Sequence, residues 1–286
     1  MTQVSDALSG KSHRDENFPV ASWIVAPRHR DAIMGFYRFV RAADDVADHP
    51  SLAAREKHRL LDRLEAALTG RGDAEPEAEP LRRALLARDM APTHALDMLV
   101  AFRQDVETAR YDDWSAVMAY CAHSAMPVGR FVLDVHGEDR ALWPGNDALC
   151  AALQMINHLQ DCGKDFRMLD RVYLPERTLG RHGAAIADLG GEVATPALRQ
   201  ALVELAGRTA ELLRDSAGFA SGIRDWRLGL EVAAIQRLAE ALTRRLLALD
   251  PLRAPVRLSK PRMLAVAARG VAGQAWRRLL APERPA

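Results

Sequence analysis

Aspartates recur in this chain in two matching pairs. Asp44 and Asp48 belong to "RAADDVAD", with Asp45 between them, and Asp161 and Asp165 belong to "LQDCGKDF". An i,i+4 spacing sets both carboxylates of a pair on one helix face, a turn apart, where like charges repel by a few tenths of a kcal/mol. The first pair also closes a helical run, "PRHRDAIMGFYRFVRAADDVADHP", which Pro50 terminates. That end of the macrodipole already carries partial negative charge, so each carboxylate is disfavoured there by roughly 0.3–1 kcal/mol. Something positive has to offset this. A few hard carboxylate oxygens suit Mg²⁺, which keeps several waters and shares its shell with phosphate oxygens. Arg41 stands at the first pair, and Lys164, Arg167 and Arg171 at the second. Guanidinium groups supply the remaining donors for an anion.

Ile33, Tyr37, Val40, Asp44 and Asp48 follow one another at spacings of three or four, so the first pair continues a stripe that faces the core or a cleft. In the second helix Gln154, Asn157, Asp161 and Asp165 form a polar line, with Leu153, Ile156 and Leu159 off it. An acidic pair at a helix end is most often a solvated surface. Two matching pairs on inward stripes weigh against that and read as two halves of one site. His123 and His158 lack ligand spacing and are expected as packed or hydrogen-bonded side chains. Phe36, Phe39 and Val40 read as core.

With 286 residues, 49% of them apolar, the chain can bury about three quarters of its unfolded surface. A formal charge of +1 and the lack of an interleaved basic and aromatic stretch exclude nucleic acid as an expected partner. "MTQVSDALSGKSHRDENF" has no apolar signal core, and no run of 18 apolar residues occurs, so a cytoplasmic protein is expected. Cys121, Cys150 and Cys162 form no C-x-x-C pair and read as core or near-core thiols in a reducing compartment.

Helical periodicity recurs almost everywhere, and period-2 strands are not evident. The spacing predicts helices near 27–48, 51–69, 81–89, 93–109, 113–136, 145–166, 196–218, 226–249 and 260–280, with "RGDAEPEAEP" at 71–80 as a surface loop. Ser51 reads as the cap of the second helix, Gly70 as its stop and "TP" at 195–196 as the start of another. The expected class is all-α, one domain over 1–286 with 259–286 at its periphery. In that last stretch Met263, Val266, Val271, Trp276 and Leu280 can share a face while Arg262, Arg269, Arg277 and Arg278 remain available to lipid headgroups. Peripheral membrane contact on the inner face and ordinary packing of a terminal helix both stay open.

"FYRFVRAADDVAD", "YCAHSAMPVGR" at 120–130 and "INHLQDCGKDF…RVYLP" together resemble the squalene and phytoene synthases over nearly the whole chain to about residue 250. The resemblance implies the isoprenoid synthase fold, a helical domain with a central active-site cavity. It implies that Asp44, Asp48, Asn157, Asp161 and Asp165 hold Mg²⁺ against a diphosphate, and that Arg41, Arg171 and Tyr173 contact phosphate or close the site. Tyr37 and Tyr120 would face the prenyl chain or a carbocation, with Phe18 and Phe102 as further aromatic faces. "DENFPVAS" at 15–22 and "QDCGKD" look most like the bacterial hydroxysqualene synthase branch, which serves hopanoid precursor biosynthesis. The implied substrate is presqualene diphosphate, and the implied outcome is water capture, with Gln154, Asn157 and Gln160 as amides that could place the water. That branch also implies a functional link to other squalene-pathway enzymes. Two departures, Asp15-Glu16-Asn17-Phe18 in place of a Ser-x-Ser-Phe element and Lys164 in place of an acidic residue, set the chain apart from two-substrate condensation. A condensing presqualene diphosphate, squalene or phytoene synthase is the alternative, and a non-catalytic assembly relative a third, against which the intact aspartates stand.

Overall fold

The computed structural model describes residues 3–7 and 26–280, and all of the regular structure there is helical. "DENFPVAS", Phe18 included, lies outside the described residues. The helices are α1 (Pro27–Asp48), α2 (Ala54–Thr69), α3 (Glu79–Leu86), α4 (Thr93–Glu107), α5 (Trp114–Ser124), α6 (Met126–Val135), α7 (Trp143–Leu169), α8 (Glu176–Arg181), α9 (Pro196–Asp215), α10 (Phe219–Gly222), α11 (Trp226–Ala248) and α12 (Lys260–Leu280).

Local chemistry sets their ends. Pro27 opens α1 and Pro196 opens α9, where the Thr195 hydroxyl accepts from the Leu198 N–H at 3.2 Å. Asp113 and Asp225 cap α5 and α11 in the same way. Gly70 ends α2 with φ +72°, a left-handed conformation in which a side chain would cost roughly 1–2 kcal/mol. Ser51 does not cap: α2 begins three residues later, and the Ser51 N–H donates to His49 Nδ1 at 3.3 Å. The expected helix over 113–136 is two helices. Ala125, at φ −130° and ψ −47°, lies outside the helical basin, and Pro127 starts the second one. The short helices α8 and α10 were not foreseen, because a turn or two has too few residues to show a period.

α7 runs through the molecule against α5, α6, α9 and α11, while α1 packs on α2, α3, α4 and α6. Ile33, Phe36, Phe39 and Val46 bury one side of α1, and Ile156 and Leu159 one side of α7. Cys121 and Cys162 are buried and Cys150 partly so, and burial pushes each thiol up to about 12. All are inert, near-core thiols, as their spacing indicated.

α12 is docked by specific contacts to α11 and α10. Gly270 lets the backbones meet, for a Cβ there would stand 2.6 Å from the Ala233 oxygen. Buried Gln274 donates to the Ala220 carbonyl at 3.0 Å and accepts from the Ser221 hydroxyl at 3.1 Å. The expected shared face is thereby split. Val266 and Val271 turn partly toward the protein, whereas Leu264, Trp276, Leu279 and Leu280 are exposed. No helix among the described residues is long and apolar enough to cross a membrane.

Candidate functional site

Asp44 and Asp48 sit in the last turn of α1, as the stripe indicated, and each is half-buried. Asp45 is the buried member, and Arg41 binds across the motif: Nη1 lies 3.0 Å from Asp44 and Nη2 3.1 Å from Asp45. Asp161 and Asp165 lie in the last turns of α7, which extends beyond its expected end to Leu169. Half-buried Asn157 and Gln154 continue that face toward the N-terminus. Lys164, largely exposed, stands 3.8 Å from Asp161.

The two motifs meet through the segment that follows α7. Asp170 adopts φ +50° and turns the chain, and residues 170–177 then run beside 109–112, with the Val172 N–H on the Ala109 carbonyl at 2.9 Å and an isolated parallel bridge from Arg110 to Val172. This returns Arg171 to α1, where Nη1 donates to Asp48 at 2.5 Å and Nη2 to the Ala47 carbonyl at 3.3 Å. A residue adjoining the second motif thus neutralises part of the first.

Electrostatics report the same closeness. Burial, the Asp48 carboxylate and further aspartates push Asp44 up to about 7 against the pull of Arg41. Burial, Asp161 and Asp48 push Asp165 up to about 7 as well, although Lys164 and Arg171 pull the other way. Asp48 of one motif is therefore felt at Asp165 of the other. Carboxylate oxygens of this kind suit a hard divalent cation, whose charge would relieve the repulsion, although no three of these carboxylates come within 4.8 Å of one another in this structure.

Sequence reasoning missed Asp105, Tyr111 and Lys57. Asp105 on α4 is buried and accepts from the Tyr120 hydroxyl at 2.8 Å and the Tyr173 hydroxyl at 2.9 Å. Tyr111 tilts against Tyr120 at 5.3 Å and stacks on Tyr173 at 5.7 Å, and His158 also stacks on Tyr173 at 4.0 Å. His158 is packed, as expected, and burial lowers it to about 3, so it stays neutral. Lys57 on α2 donates to the Ala47 carbonyl at 2.7 Å beside Arg171 and Asp48; burial and then Arg171 lower its pKa. An acid on the core stripe Met98, Phe102, Asp105 was a readable signal, of the kind that singled out Asp44.

Two turns before Asp44, Tyr37 lines an apolar cavity of about 270 Å³ between α1, α6, α7 and α11, with Ile33, Phe36, Val40, Phe131 and Leu149 in its wall. Tyr120 and Phe102 are not among the residues of that wall. Tyr120 belongs instead to the Asp105 cluster, and Phe102 to the core around α1, α2 and α4. Gln160 departs furthest from expectation. It lies off the Asn157–Asp161–Asp165 face, and its amide donates to the Val256 carbonyl at 2.5 Å, so it ties α7 to the chain before α12 instead of facing the acidic cleft. Arg167 likewise turns away, toward the Leu189 carbonyl at 3.4 Å.

Residues 11–262 match the family described as squalene/phytoene synthase. A hydroxysqualene synthase of Rhodopseudomonas palustris is 57% identical over 94% of this chain and 92% of its own length. One of Sinorhizobium fredii is 50% identical over 97% and 95%. Among solved structures, a squalene synthase of Alicyclobacillus acidocaldarius superposes with a TM-score of 0.69 at 28% identity, covering 79% of this chain and 85% of that one. A dehydrosqualene synthase reaches 0.78 at 20% identity over 92% and 93%, a likeness of fold alone.

Proposed function

The chain belongs to the squalene/phytoene synthase family, with its isoprenoid synthase fold, and on that footing we propose that it converts presqualene diphosphate into hydroxysqualene and diphosphate. The observation that carries this reading is the 57% and 50% identity, over nearly the whole chain, to two hydroxysqualene synthases.

In this reading Asp44, Asp48, Asn157, Asp161 and Asp165 hold Mg²⁺, which when bound supplies positive charge to a departing diphosphate. Arg171 and Arg41 orient that leaving group with donors already fixed by Asp48 and by Asp44 and Asp45, so little reorganisation is needed as charge develops. The carbon–oxygen bond breaks and its electron pair leaves with the diphosphate. The apolar cavity at Tyr37 keeps water from the hydrocarbon while the cation rearranges, and the Tyr37 ring face steadies it by roughly 0.5–2 kcal/mol. A single water then forms the new carbon–oxygen bond and gives up a proton to solvent. Gln154, three residues before Asn157 on the acidic face of α7, is the amide left to place it.

Oxygen-18 water is expected to label the product hydroxyl, and added NADPH to leave the product unchanged. Squalene formed with NADPH, or presqualene diphosphate accumulating from farnesyl diphosphate as the main activity, would assign the chain to the condensing and reducing branch.

A lipophilic product also gives meaning to the outer face of α12, where Leu264, Trp276, Leu279 and Leu280 are exposed, flanked by exposed Arg262, Arg269 and Arg277 along the grooves between α12 and α11. That face rests on an anionic membrane surface in this reading. Flotation with vesicles containing anionic lipid should recover the protein, and Trp276→Ser/Leu279→Ser/Leu280→Ser should lose most of that recovery while α12 stays docked through Gly270 and Gln274. Equal recovery of both proteins would remove the membrane reading.

A further inference from the structure

His29, His136 and Asp225 come together on the far side of α1 from the acidic motif. His29 is in the first turn of α1, His136 directly follows α6 and Asp225 directly precedes α11, and one ligand atom from each lies within 4.8 Å of the other two. The two imidazole rings are 4.1 Å apart.

Their hydrogen bonds decide which lone pairs remain. His136 Nδ1 is 2.8 Å from the Val132 carbonyl oxygen, and a carbonyl can only accept, so Nδ1 carries the proton and Nε2 keeps its lone pair. Such a backbone partner is what fixes the tautomer of a metal-binding histidine. His29 Nε2 accepts from Arg28 Nε at 2.9 Å, so it too presents a lone pair. Asp225 uses Oδ1 to cap the Arg227 and Leu228 N–H groups, leaving Oδ2, which is 3.6 Å from Arg28 Nη2. The guanidinium of Arg28 therefore lies as a cation against the His29 lone pair and the free carboxylate oxygen of Asp225. Its side chain is 73% exposed and free to swing into solvent. Around the cluster stand Arg88, which donates to the Arg28 carbonyl at 2.7 Å, and Glu138, which accepts from the Arg224 and Asp225 N–H groups.

We propose that His29, His136 and Asp225 bind a borderline transition-metal dication of the zinc type, which replaces the Arg28 guanidinium and takes a solvent molecule as its fourth ligand. Two imidazoles and one carboxylate suit Zn²⁺ or Co²⁺ and not Mg²⁺. Tetrahedral bond lengths put ligand atoms about 3.3 Å apart, so closure needs movements of roughly an ångström. The bound ion pins the start of α1, whose other end carries Asp44 and Asp48, to α6 and α11 beside the apolar cavity. Because this cluster is built from other residues, it stands or falls independently of the proposed reaction.

The test is Co²⁺ and Zn²⁺ titration of the full chain in excess Mg²⁺, read by visible absorption and calorimetry. One Co²⁺ per chain with the intense visible bands of a tetrahedral site is expected, and these are retained in Asp44→Asn/Asp161→Asn. His136→Ala should lose the bands. Asp225→Asn, which keeps the helix cap, should weaken Zn²⁺ binding at least tenfold, and Arg28→Ala, which removes the competing cation, should tighten it. Binding that survives His136→Ala and Asp225→Asn, that disappears with Asp44→Asn/Asp161→Asn, or that weakens in Arg28→Ala overturns the proposal, as does the absence of tetrahedral bands.

Discussion

Asp44→Asn, Asp48→Asn, Asp161→Asn and Asp165→Asn are each expected to lower turnover by at least about 10²-fold, the scale on which one charge-stabilising contact to a leaving group acts. Stability should not follow activity. Asp44 and Asp165, pushed up to about 7 by burial and by neighbouring carboxylates, oppose folding when ionised, so their asparagine variants keep or raise the apo-protein's stability. Asp48 differs. Its carboxylate faces Arg171, a side chain only 9% exposed, and Asp48→Asn removes that ion-pair partner, leaving the Ala47 carbonyl and the field of Asp105, a loss of about 1.5–3 kcal/mol.

The pH dependence has a definite sign. Between about 4 and 7 the folded chain retains protons on Asp44 and Asp165 that the unfolded chain has released, so these groups make apo stability fall as pH rises. His29 and His158, lowered to about 4 and about 3, act in the opposite direction below their ordinary 6.5. The difference between wild type and Asp44→Asn, measured by denaturant unfolding at several pH values in chelator, isolates the carboxylate part. Full turnover in chelator, or in Asp44→Asn/Asp161→Asn, would remove the metal-site reading.

Much of this site was legible because helical arithmetic is local. Asp44 and Asp48 could be placed at a helix end from Pro50, and Asn157, Asp161 and Asp165 on one face from spacing alone. What spacing cannot say is which face meets which. Gln160 lies three residues from Asn157, close enough to pass for a neighbour, yet that step turns its amide toward Val256. Asp105 escaped notice for a related reason: a single acid has meaning only when Tyr120 and Tyr173, 15 and 68 residues away, arrive with their hydroxyls. Arg171 and Lys57 both reach Ala47 from distant elements, and the turn at Asp170 that brings Arg171 back depends on a left-handed residue that is not glycine. The break at Ala125 was hidden by apolar residues that continue the helical period across it.

Asp105→Ala is expected to be the most destabilising single change near the site, at about 2–6 kcal/mol, because it strands the buried hydroxyls of Tyr120 and Tyr173 without their acceptor. Asp105→Asn is the informative companion. It offers an oxygen to one tyrosine and an N–H to the other, and it removes a charge whose burial pushes Asp105 up to about 6 even against Arg171 and two donated hydrogen bonds. Its stability should lie close to wild type at pH 8. Tyr120→Phe and Tyr173→Phe each remove a donor to that carboxylate. Since the lost bond favoured the ionised form, Asp105 moves still higher, and the penalty, about 1–3 kcal/mol at pH 8, should shrink at pH 5, where the carboxyl is largely protonated. A double-mutant cycle between Tyr120→Phe and Asp105→Asn, read by denaturant unfolding, should show a coupling at pH 8 that is reduced at pH 5. A coupling of the same size at both values would mean that the tyrosines bind a carboxyl already neutral in the folded chain, and the account of Asp105 as a buried charge held by two hydroxyls and by the field of Arg171 would have to be given up.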